Sequence, residues 1–124
     1  MTMRTPISRV RGLGSAKGGT HHWWMQRLTA IALVPLSIWF VISMICLASA
    51  DHAAVSAWMA TPLTAVLMLL LVVATFYHMQ LGLQVVIEDY IHGEGTKMVC
   101  LIGLKLGSFA LGVAASFAVL KVAF

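Results

Sequence analysis

From Leu28 to Ala50 the chain runs for 23 residues without Asp, Glu, Lys or Arg, between Arg27 and Asp51. As a helix such a stretch is about 35 Å long, enough to cross a hydrocarbon layer of about 30 Å. A second charge-free run extends from His52 to Ile87. Of the 124 residues 60% are hydrophobic and 10% charged, against about 45–50% and about 25% in ordinary soluble domains, so the sequence reads as a small integral membrane protein. At roughly 20 residues per span it holds at most four or five helices and little extramembrane structure. Any chemistry therefore takes place inside or at the edge of the bilayer, or in a site built mostly by partner chains.

The expected architecture is all-α with three transmembrane helices, at about 23–50, 62–90 and 97–122, in a single membrane domain of residues 1–124 whose residues 1–22 form a cytoplasmic N-terminal segment. Pro35 lies inside the first span, where a membrane helix tolerates it because neighbouring groups satisfy the freed carbonyl. Residues 51–62 read as a short amphipathic loop. Thr61-Pro62 reads as a helix start, with Thr as cap and Pro in the first turn. Gly93 and Gly95 read as the turn before the third span. Lys105 is near enough to an interface to snorkel.

Arg4, Arg9, Arg11, Lys17 and Arg27 precede the first span, the 51–61 segment has no Lys or Arg, Lys97 follows the second span and Lys121 ends the third. The positive-inside rule places the N-terminus and the 88–97 loop in the cytoplasm, and the C-terminus on the opposite side. The net charge of +4 is accounted for by orientation and anionic lipid and calls for no nucleic acid. No cleavable signal peptide is expected, because the apolar run begins late. The Arg-rich, acid-free first 20 residues also resemble an organellar transit sequence, a weaker reading because the segment is short. Cys46 and Cys100 lie in apolar surroundings without a redox or metal spacing and read as packing residues.

A polar group inside a membrane helix points to function by default. His78 stands about ten residues, or roughly 15 Å, before the charged end of its helix at Glu88. A neutral imidazole there can hydrogen-bond another helix, relay protons or ligate a metal. At 100° per residue, Gly82 lies about 40° and Asp89 about 20° from His78, so one stripe carries an imidazole, a gap and a carboxylate. The gap at Gly82 leaves room for a flat ring, or equally for a close helix crossing. At the end of the helix, Glu88, Asp89, Tyr90 and His92 crowd two carboxylates, a phenol and an imidazole together. That set is able to donate to a carbonyl oxygen and pass protons from water, and it also matches an ordinary interfacial belt. Before the first span, Trp23 and Trp24 read as interface anchors. His21, His22 and Arg27 are placed to meet anionic groups, and Arg is suited to gripping a carboxylate.

These features together resemble the small cytochrome b membrane-anchor subunit of succinate dehydrogenase, the hydrophobic D-type subunit of respiratory complex II, in its alphaproteobacterial and mitochondrial-type versions. The resemblance covers about residues 12–122. It rests on a histidine with an arginine six residues on, His21 and Arg27, and on His78 followed after eleven and twelve residues by Asp89 and Tyr90. It implies that His78 is an axial ligand to the iron of a b-type haem, with the second ligand from the larger cytochrome b anchor subunit. It implies that Tyr90 hydrogen-bonds a ubiquinone carbonyl with Asp89 in support, and that His21 and Arg27 lie near the haem propionates. FAD and iron–sulfur clusters are implied only in two soluble partners, a flavoprotein and an iron–sulfur subunit, so the chain takes part in catalysis as a subunit. The implied location is the bacterial inner membrane ahead of the mitochondrial one. Competing readings are a haem-free quinone-site anchor of a fumarate reductase-like complex, and a small transport or assembly subunit. The absence of an internal repeat speaks against a transporter.

Overall fold

The computed structural model describes residues 19–124, so the basic residues Arg4, Arg9, Arg11 and Lys17 and most of the expected N-terminal segment lie outside the described residues. Four helices follow in order: α1 (Gly19–Cys46), α2 (His52–Ala60), α3 (Pro62–Tyr90) and α4 (Glu94–Ala123). Three of them, α1, α3 and α4, are long and apolar enough to cross a membrane. The expected three-span, all-α architecture is what the chain forms.

Helix α1 passes through Pro35 without ending. It starts earlier than the expected 23–50 and ends earlier too. After Cys46 the backbone tightens: Leu47 N–H donates to the Ser43 carbonyl at 2.9 Å, then Ala48 to Ile45 at 3.3 Å and Ala50 to Leu47 at 3.0 Å. The last two close shorter turns than an α-helix and lead the chain into an extended residue, Asp51.

The expected loop at 51–62 is instead mostly the nine-residue helix α2. Its start is fixed by Asp51, whose carboxylate accepts from Ala54 N–H at 2.9 Å, satisfying one of the donors a helix start leaves open. Its end is Thr61, extended at φ −64° and ψ 127°, and that same residue precedes Pro62 as the start of α3. Gly95 lies inside α4 rather than in a turn, and only residues 91–93 link α3 to α4. Gly93 caps α4 at φ −74°, a conformation any residue adopts.

Helix α3 is the centre. Both α1 and α4 pack along it, whereas α1 and α4 do not pack on each other, and α2 lies against α3 and α4. On the α4 side the contact uses small residues. Ser108 is buried, and Gly112, one turn on, is so close to α3 that an added Cβ would meet Phe76 Cβ at 3.7 Å. Small residues let helix backbones approach where lipid removes the hydrophobic drive for association. On the α1 side Thr29 is buried against His78. Helix α2 also reaches α1, with Trp58 stacked on Trp39 at 5.8 Å between ring centroids. Large apolar side chains such as Ile31, Ile38, Ile45, Val73 and Phe109 are exposed, as expected of surfaces that meet lipid or partner helices.

Removing the cap with Asp51→Ala is expected to cost about 1 kcal/mol of local α2 stability. In hydrogen exchange on the detergent-purified protein, the amides of the first α2 turn are expected to exchange about five-fold faster, with α3 unchanged; equal protection in wild type and variant would exclude a capping role.

Candidate functional site

The polar side chains of the α1–α3 interface fall on two facing stripes. On α1, His22, Gln26 and Thr29 recur at four- and three-residue spacing, which keeps them on one face. On α3 the matching stripe holds His78 and Gly82. The helices meet through these groups: Thr29 Oγ1 lies 2.9 Å from His78 Nδ1, and the nearest atom to a Cβ built on Gly82 is Gln26 Nε2, at 3.9 Å. Thr29 is buried and His78 is half-buried.

The Thr29 hydroxyl has further partners on its own helix, the Met25 carbonyl at 2.7 Å and the Gln26 carbonyl at 3.1 Å. A threonine inside a membrane helix commonly turns its hydroxyl back to the preceding turn in this way. His22 Nε2 and Gln26 Oε1 are shielded from solvent and have no hydrogen-bond partner among the described residues. In an apolar medium each such atom is costly unless a polar group reaches it.

Gly82, read as room for a flat ring or for a close helix crossing, faces α1 with ordinary van der Waals space in front of it. Asp89 and Tyr90 occupy the last turn of α3, about 18 Å along the axis from His78, and both are exposed, Tyr90 by 76%. Their neighbour Glu88 accepts from Gln84 Nε2 at 3.1 Å, which leaves Asp89 as the carboxylate of that pair not held along the helix. His92 is exposed in the short link that follows.

His21 and Arg27 do not come together as a pair. Six residues apart, they point about 120° from each other around α1. The Arg27 guanidinium instead sits over the Trp23 ring, 5.4 Å from its centroid, and Trp23 packs edge-on against Trp24 at 5.0 Å. The cation is thereby held at the aromatic collar of the span. Among the described residues no three His, Cys, Asp or Glu side chains converge as a cage for a metal ion. Cys46 and Cys100 are free thiols.

The sequence pattern missed Thr29. Its signal was a hydroxyl at the second position of the first charge-free run, but nothing in the pattern set it apart from Ser37, Ser43 and Ser49 or gave the register that sets it against His78.

The sequence of this chain is similar to those of known proteins. The sequence model described as succinate dehydrogenase/fumarate reductase transmembrane subunit matches residues 1–120. The chain belongs to that family. Among its relatives is a succinate dehydrogenase hydrophobic membrane anchor subunit of Rickettsia bellii (strain RML369-C), 37% identical over 111 residues that cover 90% of this chain and 89% of the relative. The subunit of the same description from Paracoccus denitrificans is 30% identical over 117 residues, 94% of this chain and 90% of the relative. A succinate dehydrogenase membrane anchor subunit of Reclinomonas americana is 28% identical over 93 residues, 73% of this chain and 78% of the relative. Like the family, the chain is a multi-pass membrane protein, and its role is that of a succinate dehydrogenase membrane anchor.

The space in front of Gly82 sets a graded expectation for this anchor. Gly82→Ala fits without displacement, whereas Gly82→Leu must push the Gln26 amide aside at an overpacking cost of about 1–3 kcal/mol. The thermal midpoint of the purified protein should be unchanged in the first and lowered by several degrees in the second; equal midpoints would place Gly82 outside the helix contact.

Proposed function

We propose that this anchor subunit supplies His78 as one axial ligand of a b-type haem shared with a larger cytochrome b subunit, and that Tyr90 and Asp89 form part of a ubiquinone-reduction site. The observation that carries the reading is the state of His78. It lies deep in an apolar helix, far from the carboxylates at its end, with Nδ1 occupied by Thr29 and the other ring nitrogen without a partner among the described residues. A deeply placed imidazole with one free nitrogen has what an axial ligand requires.

The surroundings fit the group. A haem bound here would need one side chain from this chain, and His78 would supply it. The unpartnered His22 Nε2 and Gln26 Oε1 on the facing stripe are polar atoms that a bound polar group would satisfy. Arg27, exposed over Trp23, keeps its guanidinium available for a propionate carboxylate, and His21 lies in the first turn of the same helix. When bound, haem supplies a one-electron carrier whose potential the protein tunes.

At the α3 terminus the exposed Tyr90 phenol donates a hydrogen bond to a quinone carbonyl and so favours charge developing on that oxygen. Asp89 orients a cation of a partner chain toward the same oxygen. The flavin and iron–sulfur chemistry belongs to a flavoprotein and an iron–sulfur subunit that dock on the side carrying Tyr90. With Arg27 and Lys97 at that side, it is the cytoplasmic face of a bacterial inner membrane, and the C-terminus lies opposite.

A dithionite-reduced minus oxidised spectrum of the complex purified through this chain should show a b-type α-band, and a denaturing gel should show the two soluble partners and a second anchor. His78→Ala should remove most of that band while the partners still co-purify; an unchanged band would defeat the ligand assignment. Tyr90→Phe should lower quinone reduction about ten-fold, the worth of one hydrogen bond of about 1.4 kcal/mol, while leaving succinate oxidation by a soluble dye intact. Equal loss of both activities would mean failed assembly and count against Tyr90 in the quinone site.

A further inference from the structure

We infer that Thr29 is the positioning residue of His78: its hydroxyl accepts a hydrogen bond from Nδ1–H and holds the imidazole in the tautomer whose Nε2 carries the lone pair. The inference rests on the proposed ligation by His78 and extends it to a residue on a different helix.

The assignment follows from counting one proton. A threonine hydroxyl has a single O–H to donate and two lone pairs to accept with. Thr29 Oγ1 has three neighbours: the Met25 carbonyl at 2.7 Å, the Gln26 carbonyl at 3.1 Å and His78 Nδ1 at 2.9 Å. Both carbonyls only accept, so the proton must go to them; otherwise a hydroxyl lone pair would face a carbonyl oxygen at 2.7 Å. A lone pair is then left for His78, and a lone pair is satisfied only by a donor. Nδ1 therefore carries the hydrogen, and in a neutral imidazole Nε2 does not.

The geometry makes this a stiff support. Thr29 is 8% exposed while its neighbours Leu28 and Ile31 are 57% and 69% exposed, so this side chain is directed into the interface. Its branched Cβ restricts χ1, and the double contact to the preceding turn fixes the oxygen further. An acceptor on the far nitrogen of a ligating histidine fixes the ring plane and raises the basicity of the ligating nitrogen. A more basic ligand favours the ferric over the ferrous state, so the hydroxyl holds the midpoint potential lower than it would otherwise be. Ligand orientation thereby depends on the seating of α1 against α3.

The test uses the full complex purified through this chain in wild-type, Thr29→Val, Thr29→Ser, Thr29→Cys and His78→Ala forms, with subunit composition, haem per complex and haem midpoint potential measured in each. Valine keeps the shape and removes the acceptor. The expected result is a T29V complex with all subunits, a midpoint potential shifted to more positive values and about ten-fold weaker haem retention on dilution into detergent, with T29S restoring both. Should T29V fail to assemble, the T29C and T29S pair decides, because they match in size and sulfur is the poorer acceptor: T29C shifts as described and T29S does not. An assembled T29V or T29C complex with a wild-type or more negative potential and wild-type haem retention overturns the role of Thr29, as does a T29S complex that behaves like T29V. Wild-type haem content in H78A overturns the ligand reading instead, which separates the two failures.

Discussion

A bilayer interior offers no hydrogen bonds, so each polar group of the chain must find its partner within protein or stay at the edges. That constraint orders the structure. Backbone polarity is absorbed by three long helices, and most charged side chains are kept to their ends. The polar side chains that do enter the apolar zone, Thr29 and His78 above all, meet one another at 2.9 Å. Their contact lies within the α1–α3 packing contact, so one pair of residues joins two helices and, on the inference above, also sets the tautomer of the imidazole. In lipid, where apolar burial adds little to helix association, such a polar contact has greater weight in choosing the register of two helices than it would in water.

Much of this was legible in the sequence, for reasons that differ by residue. The spans follow from length and charge alone, since few other folds accommodate 23 uncharged residues between Arg27 and Asp51. His78 was legible because a buried imidazole is costly enough to need a cause. Helix α2 was not, because nine residues give too few periods to tell a short helix from a loop, although Asp51 carried the capping signal in plain view. Thr29 was hidden for a deeper reason. Local pattern gives the face of each helix but not how far one slides along its neighbour, and that sliding decides whether the hydroxyl meets His78 or lipid. Gly82 illustrates the same limit, since the pattern allowed both a ring slot and a helix crossing and only the register sets the Gln26 amide across from it.

The separation between His78 and Tyr90 along α3 divides the labour of the anchor. The imidazole lies in the half-buried interface with α1, and the phenol is exposed at the terminus. A rigid helix between them keeps their spacing fixed without any contact between them, so each can be tuned by different neighbours: His78 by α1, and Asp89 and Tyr90 by whatever docks on the end of α3. On the proposed reading, a chain of this size contributes parts of two sites while completing neither.

Helix α2 gives the layer a mechanical asymmetry. The outer helices α1 and α4 do not pack together, yet α2 packs on α4 and reaches α1 through the Trp39–Trp58 stack. The two outer helices are thus clasped at the end where α2 lies and free of each other at the end that carries Arg27 and Tyr90. The α2 bridge thus ties the two outer helices together indirectly, so the spacing of α1 and α4 at that end depends on the seating of one nine-residue helix.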